Sequence, residues 1–138
     1  MVRERPHHTH SLRRHPSTAT AICVASTAAA LWLASRATRR FVVTGESMLP
    51  ALHPGDRVVA VHYRRVRIGD VVAVPDPRDR ERLLVKRVHS LTRSTAELRG
   101  DNEAGSTDSR VFGPVPVSAL IGRVVYRYGP PERVGWLR

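Results

Sequence analysis

Ile68-Gly69-Asp70-Val71-Val72-Ala73-Val74 joins a tight-turn signal to an apolar run rich in β-branched residues, and this pairing decides the fold. Working outward, the same alternation recurs. Residues 41–44, 57–61, 82–88, 96–99 and 120–128 are strand-like, and His53-Pro54-Gly55-Asp56 is a second turn of the same kind. No stretch after residue 40 sustains a helical period, and no internal repeat is present. The expectation is a compact, mostly β domain over residues 41–138, large enough for one core and too small for two.

The chain changes character near residue 40. Residues 1–16 are rich in Arg, His and Pro with almost no large apolar side chains, and read as a disordered basic tail. His7, His8, His10 and His15 lie on that tail, where a flexible backbone fixes no ligand geometry, so no metal and no cofactor is expected. Residues 17–35 carry no formal charge, and a helix of that length spans roughly 28 Å, close to the ~30 Å hydrocarbon core. The expectation is one N-terminal helix serving as a single-pass membrane anchor. A soluble Ala-rich helix, and with it a cytoplasmic protein, is the alternative. A cleaved secretory signal fits less well, because Arg36, Arg39 and Arg40 follow at once.

The formal net charge of +11 is uneven, with seven Arg against one Glu in residues 1–40. Beyond that point the basic residues are scattered through strand-like segments, aromatic residues are few, and no basic helix appears. That pattern points away from nucleic acid and towards anionic lipid as the partner of the N-terminal excess. Cys23 is the sole cysteine, which excludes an intrachain disulfide.

Three segments carry chemistry. Lys86 is the only lysine in a chain whose other 22 basic residues are arginines, and it falls in Leu83-Leu84-Val85-Lys86-Arg87-Val88. A guanidinium stays protonated at any working pH, whereas a desolvated amine can lose its proton and act as a general base. Upstream stands Gly45-Glu46-Ser47-Met48-Leu49-Pro50, a serine in a turn closed by proline; serine is a weak nucleophile until a base takes its proton. Downstream, the polar loop Gly100-Asp101-Asn102-Glu103-Ala104-Gly105-Ser106-Thr107-Asp108-Ser109-Arg110 can supply a hydroxyl to orient the amine and an Asp–Arg pair to hold its own shape. Asp101 and Asn102 read as turn formers, and Trp136 as a core or lipid contact. His53 and His89 could be drawn into a Ser-His-Asp triad, but one sits in a Pro-Gly turn and the other at the end of the Lys86 strand.

In order and spacing the three segments resemble the signal peptidase I family of Ser-Lys serine proteases, over residues 41–128. The resemblance implies Ser47 as nucleophile and Lys86 as general base. It also implies Ser106 as the hydrogen-bond partner of the amine, Asp108 and Arg110 as braces, and the Ser47 backbone N–H as oxyanion donor. Two departures stand out. Only thirteen residues separate Lys86 from Gly100, which leaves no room for a large second domain, so the fold expected is the minimal catalytic β domain, like that of the mitochondrial inner-membrane proteases. Gly45 stands where some family members carry a serine whose hydroxyl helps to bind the oxyanion. Residues 74–78, 83–88 and 122–128 look most like the nickel-type superoxide dismutase maturation proteases, implying a precursor with an N-terminal leader as substrate. A general signal peptidase and a noncatalytic membrane-tethered β module are the alternatives. A self-cleaving repressor-type protease would need a DNA-binding helical domain, which the basic tail does not supply.

Overall fold

The computed structural model describes Ser26 and residues 38–63 and 65–137. The chain divides into two compact units, Met1–Ala34 and Ser35–Arg138. The expected tail and anchor lie outside the described residues, apart from Ser26, which is helical and exposed. Among the described residues no helix is long and apolar enough to cross a membrane.

The second unit is the expected mostly β domain. Its strands are β1 (Thr38–Val42), β2 (Arg57–Val61), β3 (Val71–Asp76), β4 (Asp79–Leu91), β5 (Thr95–Arg99), β6 (Val115–Pro116), β7 (Gly122–Gly129) and β8 (Gly135–Trp136). All pair antiparallel in one sheet of order β1-β2-β7-β3-β4-β5-β6, with β8 beside β7.

The run that opened the sequence reading becomes β3, near the middle of that order. Its side chains alternate between two apolar clusters, which is why four consecutive apolar residues are needed there. Val72 and Val74 join Leu84, Val88, Ala96, Leu98, Val115 and Leu120 on one face, while Val71 and Ala73 join Met48, Leu52, Val58, Ala60 and Val124 on the other. Pro75 is tolerated because β7 pairs β3 only at Val72 and Ala73, so no ladder bond is lost at residue 75.

The two turn signals are one device used twice. Gly55 and Gly69 hold φ of +88° and +92°, the conformation that a type II turn requires at its third residue. The following Asp closes each turn: Asp56 N–H donates to His53 O and Asp70 N–H to Arg67 O. Their carboxylates accept in return from the His53 and Arg67 N–H groups, at 2.9 and 2.8 Å. Each turn therefore delivers its strand, β2 or β3, at a fixed angle.

Several boundaries differ from expectation. β1 begins at Thr38 and stops at Val42, because its length is set by the partner strand, Thr38 opposite Val61 through Val42 opposite Arg57. β4 runs thirteen residues, far past the apolar run, since its N-terminal half forms a hairpin with β3 and its C-terminal half pairs with β5. The polar loop contains a four-residue helix, α1 (Ser109–Phe112), capped by Asp108. Trp136 is not a core residue: it is 77% exposed and rests edge-on against Tyr126.

Candidate active site

Residues 45–52 form the turn that carries Ser47. Met48 and Leu52, 1% and 0% exposed, sink into the second cluster and are joined by a bond from Leu52 N–H to Met48 O. Burying two such side chains is worth about 2 kcal/mol each, enough to fix the turn while Ser47 between Glu46 and Met48 stays half-buried. The turn is also gripped from the polar loop. Asn102 N–H donates to Ser47 O at 3.0 Å and Asn102 Nδ2 to Glu46 O at 3.2 Å. Ser47 N–H meets no acceptor among the described residues, so it is available to a ligand.

Lys86 lies opposite Val72, on the face of β4 that also carries Leu84 and Val88. Its strand register therefore drives a charged side chain into the core, and it is 2% exposed. Desolvation lowers its pKa from 10.5 to about 8; Asp108 pulls it back upward, while Arg82 and Arg110 push it further down.

Behind the amine runs a relay of short bonds. Lys86 Nζ donates to Ser106 Oγ at 3.0 Å, and Ser106 Oγ donates to Asp108 Oδ2 at 2.8 Å. A carboxylate can only accept, so the Ser106 proton is committed to Asp108 and Ser106 can only accept from the amine. The nitrogen lone pair is thereby left unused by its support and free to take a proton from elsewhere.

Asp108 is fully buried. Burial alone would raise its pKa, but Arg110, the Gly100 N–H and Ser106 together hold the carboxyl well below the usual range. The Arg110 guanidinium meets both carboxylate oxygens, at 2.9 and 2.8 Å, and Gly100 N–H donates at 3.1 Å. The same carboxylate caps α1 through Arg110 N–H.

Gly100 joins the two halves. A Cβ there would lie 2.3 Å from Ser106 Oγ and 2.4 Å from Ser47 O, so the serine turn and the relay meet over one bare Cα. No hydrogen bond links Ser47 Oγ to Lys86 Nζ among the described residues. In unliganded catalytic sites such bonds are often long and tighten on binding, so the missing bond does not exclude the pair.

Beside Ser47 opens a cleft of about 240 Å³ lined by Val42, Val43, Thr44, Met48, Leu84 and their neighbours. His53 and His89 do not line it, so no triad forms there. The structure thus brings Lys86, Ser106, Asp108 and Arg110 into one bonded chain and sets Ser47 against it through Gly100 and Asn102. Two contributors were misread from sequence. Asn102 is a clamp on the serine turn, and Asp101 accepts two bonds from Arg87, at 2.8 and 2.7 Å, which pin the loop to β4. From sequence alone both are expected as turn formers, and Arg87 is the only signal of the second role. Among the described residues no group of His, Cys, Asp or Glu has the arrangement to hold a metal.

Residues 16–93 and 97–129 match the family described as signal peptidase, peptidase S26. The chain is 37% identical over 123 residues to the mitochondrial ATP-independent inner membrane protease subunit 1a of Arabidopsis thaliana, covering 70% of this chain and 73% of that protein. It is 31% identical over 119 residues to the human mitochondrial inner membrane protease subunit 1, covering 69% and 72%. It is also 31% identical over 122 residues to the mouse mitochondrial inner membrane protease subunit 2, covering 70% and 69%. The chain belongs to the S26 signal peptidase family.

Proposed function

We propose that this S26 family member is a membrane-associated serine endopeptidase that removes an N-terminal leader from a precursor, with Ser47 as nucleophile and Lys86 as general base. The observation that carries this is the buried amine, shifted to about 8, with its lone pair left free by the Ser106–Asp108 relay beside the serine turn. Near neutral pH about one molecule in ten then holds the free base, against roughly one in a thousand for an ordinary lysine.

The neutral amine takes the Ser47 Oγ proton as the oxygen attacks the scissile carbonyl carbon. The oxyanion that forms is met by the Ser47 N–H. Collapse breaks the C–N bond, and the Lys86 ammonium gives its proton to the departing amine. Water then attacks the acyl-serine, Lys86 again serving as base, and the acid product leaves.

Substrate would lie as an extended strand. Among the described residues β1 stands at the end of the sheet and β4 is paired with β5 only from Arg87 onward, so Phe41–Val42 and the first half of β4 offer backbone edges beside the cleft. The narrow space between Val43, Met48 and Leu84 favours small apolar side chains beside the scissile bond.

The relatives' names place those proteins in the mitochondrial inner membrane, which supports a membrane setting here, with the uncharged residues 17–35 as anchor. Nickel superoxide dismutase precursor as substrate rests on the narrower sequence resemblance alone; the relatives' descriptions do not mention it. Incubating the full chain with that precursor and with a generic leader-bearing precursor, followed by N-terminal sequencing, tests both levels. Cleavage that persists in Ser47→Ala or Lys86→Arg would refute the dyad.

A further inference from the structure

The cleft beside Ser47 is apolar or small along nearly its whole wall: Val42, Val43, Thr44, Gly45, Met48, Leu83, Leu84 and Val85. Among the described residues Arg82 is the one charged side chain on it. It is exposed, and its guanidinium makes no hydrogen bond or ion pair with any described residue. Arg78, Arg87, Arg110, Arg123, Arg127 and Arg133 engage a carboxylate, whereas Arg82, like Arg57, Arg80, Arg93 and Arg99, engages none among the described residues, and of these five it alone stands on the cleft wall. Its guanidinium lies near enough to both Lys86 and the buried Asp76 to act on each through space.

We infer that Arg82 selects substrates bearing an acidic side chain, which it pairs at the end of the cleft away from the base. The inference rests on the peptidase reading above and extends it to substrate charge. Arg82 and Lys86 share one face of β4 four residues apart, so their Cα atoms are separated by roughly 13 Å along the strand. An extended peptide laid along β4 advances at the same rate, which puts the selected Asp or Glu about four residues from the scissile bond. An unpaired guanidinium beside an otherwise apolar wall gains from a carboxylate and is repelled by a lysine, while the remaining subsites stay indifferent to charge.

The test uses the full chain carrying Ser47→Ala, so that binding is read without turnover. The probes are fluorescent Ala/Ser peptides with a single Asp walked along the chain, and the matching Lys series. At one position the Asp peptide should bind roughly three- to tenfold tighter than the Lys peptide, a difference that added salt reduces. Arg82→Glu, at an exposed site outside both cores, should invert the order at that same position and leave the other positions unchanged. Equal affinities for Asp and Lys at every position, a preference that survives Arg82→Glu, or no binding of any peptide would overturn the inference. Cleavage missing from the unsubstituted chain while the Arg82-dependent preference holds would instead sink the peptidase reading alone.

Discussion

Lys86 is held where its charge is least welcome, and two consequences follow at the scale of the single residue. As the proposed base Lys86 must be neutral, so kcat/KM should rise with pH through about 8 and level off above it; a flat profile from pH 6 to 9 would exclude Lys86 as the base. The second consequence concerns stability. The folded pKa is depressed below the unfolded one, so the unfolded chain binds the extra proton. The cost is therefore complete below about 8 and is relieved as pH rises towards 10.5. At neutral pH it amounts to about 3 kcal/mol, so Lys86→Met should be inactive yet melt higher than the parent, with the gap closing in alkaline buffer. A lower melting temperature at pH 7 would contradict this. Gly45 supplies a third test. Nothing lies within 4 Å of a Cβ built there, so Gly45→Ser fits without displacement and should raise kcat several-fold by adding an oxyanion donor, as steady-state kinetics would show. The candidate residues themselves were legible in the sequence because each demands a side-chain type: a hydroxyl, an amine among arginines, a carboxylate. Gly100 and Asn102 were not, since they act through bare backbone and amide contacts on a turn more than fifty positions away.

The polar loop shows how one element serves geometry and chemistry together. Asp108 caps α1 and accepts hydrogen bonds from Arg110, the Gly100 N–H and the Ser106 hydroxyl, so its removal strands a guanidinium and loosens the whole loop. Asp108→Ala should lower stability by about 3 kcal/mol in a denaturant melt and abolish activity with it. Ser106→Ala should separate the two, leaving the melt within about 1 kcal/mol while kcat falls roughly 10- to 1,000-fold, because it removes only the group that aims the amine. Strand positions were readable wherever apolar alternation met a Gly-Asp turn. Strand ends were not, because β1 and β4 take their lengths from partners far along the chain: Arg39 and Arg40 become ladder residues only because Val59 and Ala60 lie opposite. The four-residue α1 escaped notice because it is too short to show a period, and it exists by virtue of its cap.

At the scale of the molecule, the serine turn belongs to β1 and β2, while Lys86 and the relay belong to the β3–β5 run and its loop. Within the sheet these two groups never pair with each other, for β7 lies between β2 and β3. The same late segment reaches further. Arg127, on β7, donates to Ala51 O at the end of the serine turn and to buried Asp56, which Arg133 also binds at 2.9 and 2.7 Å. A chain stopped after Ile121 keeps Ser47, Lys86, Ser106, Asp108 and Arg110, yet it should show no cooperative unfolding transition and no cleavage. Adding residues 122–138 as a separate peptide should restore some of both, and activity in the truncated chain alone would refute the dependence.

The insertion of β7 has a meaning in time as well as in space. During synthesis Ser47 emerges first, Lys86 some forty residues later, and β7, which joins their two groups into one sheet, after both. On the proposed reading, a chain synthesised only as far as β6 holds both candidate residues without the strand that joins their groups, so cleavage of neighbouring nascent chains should begin only once β7 has emerged.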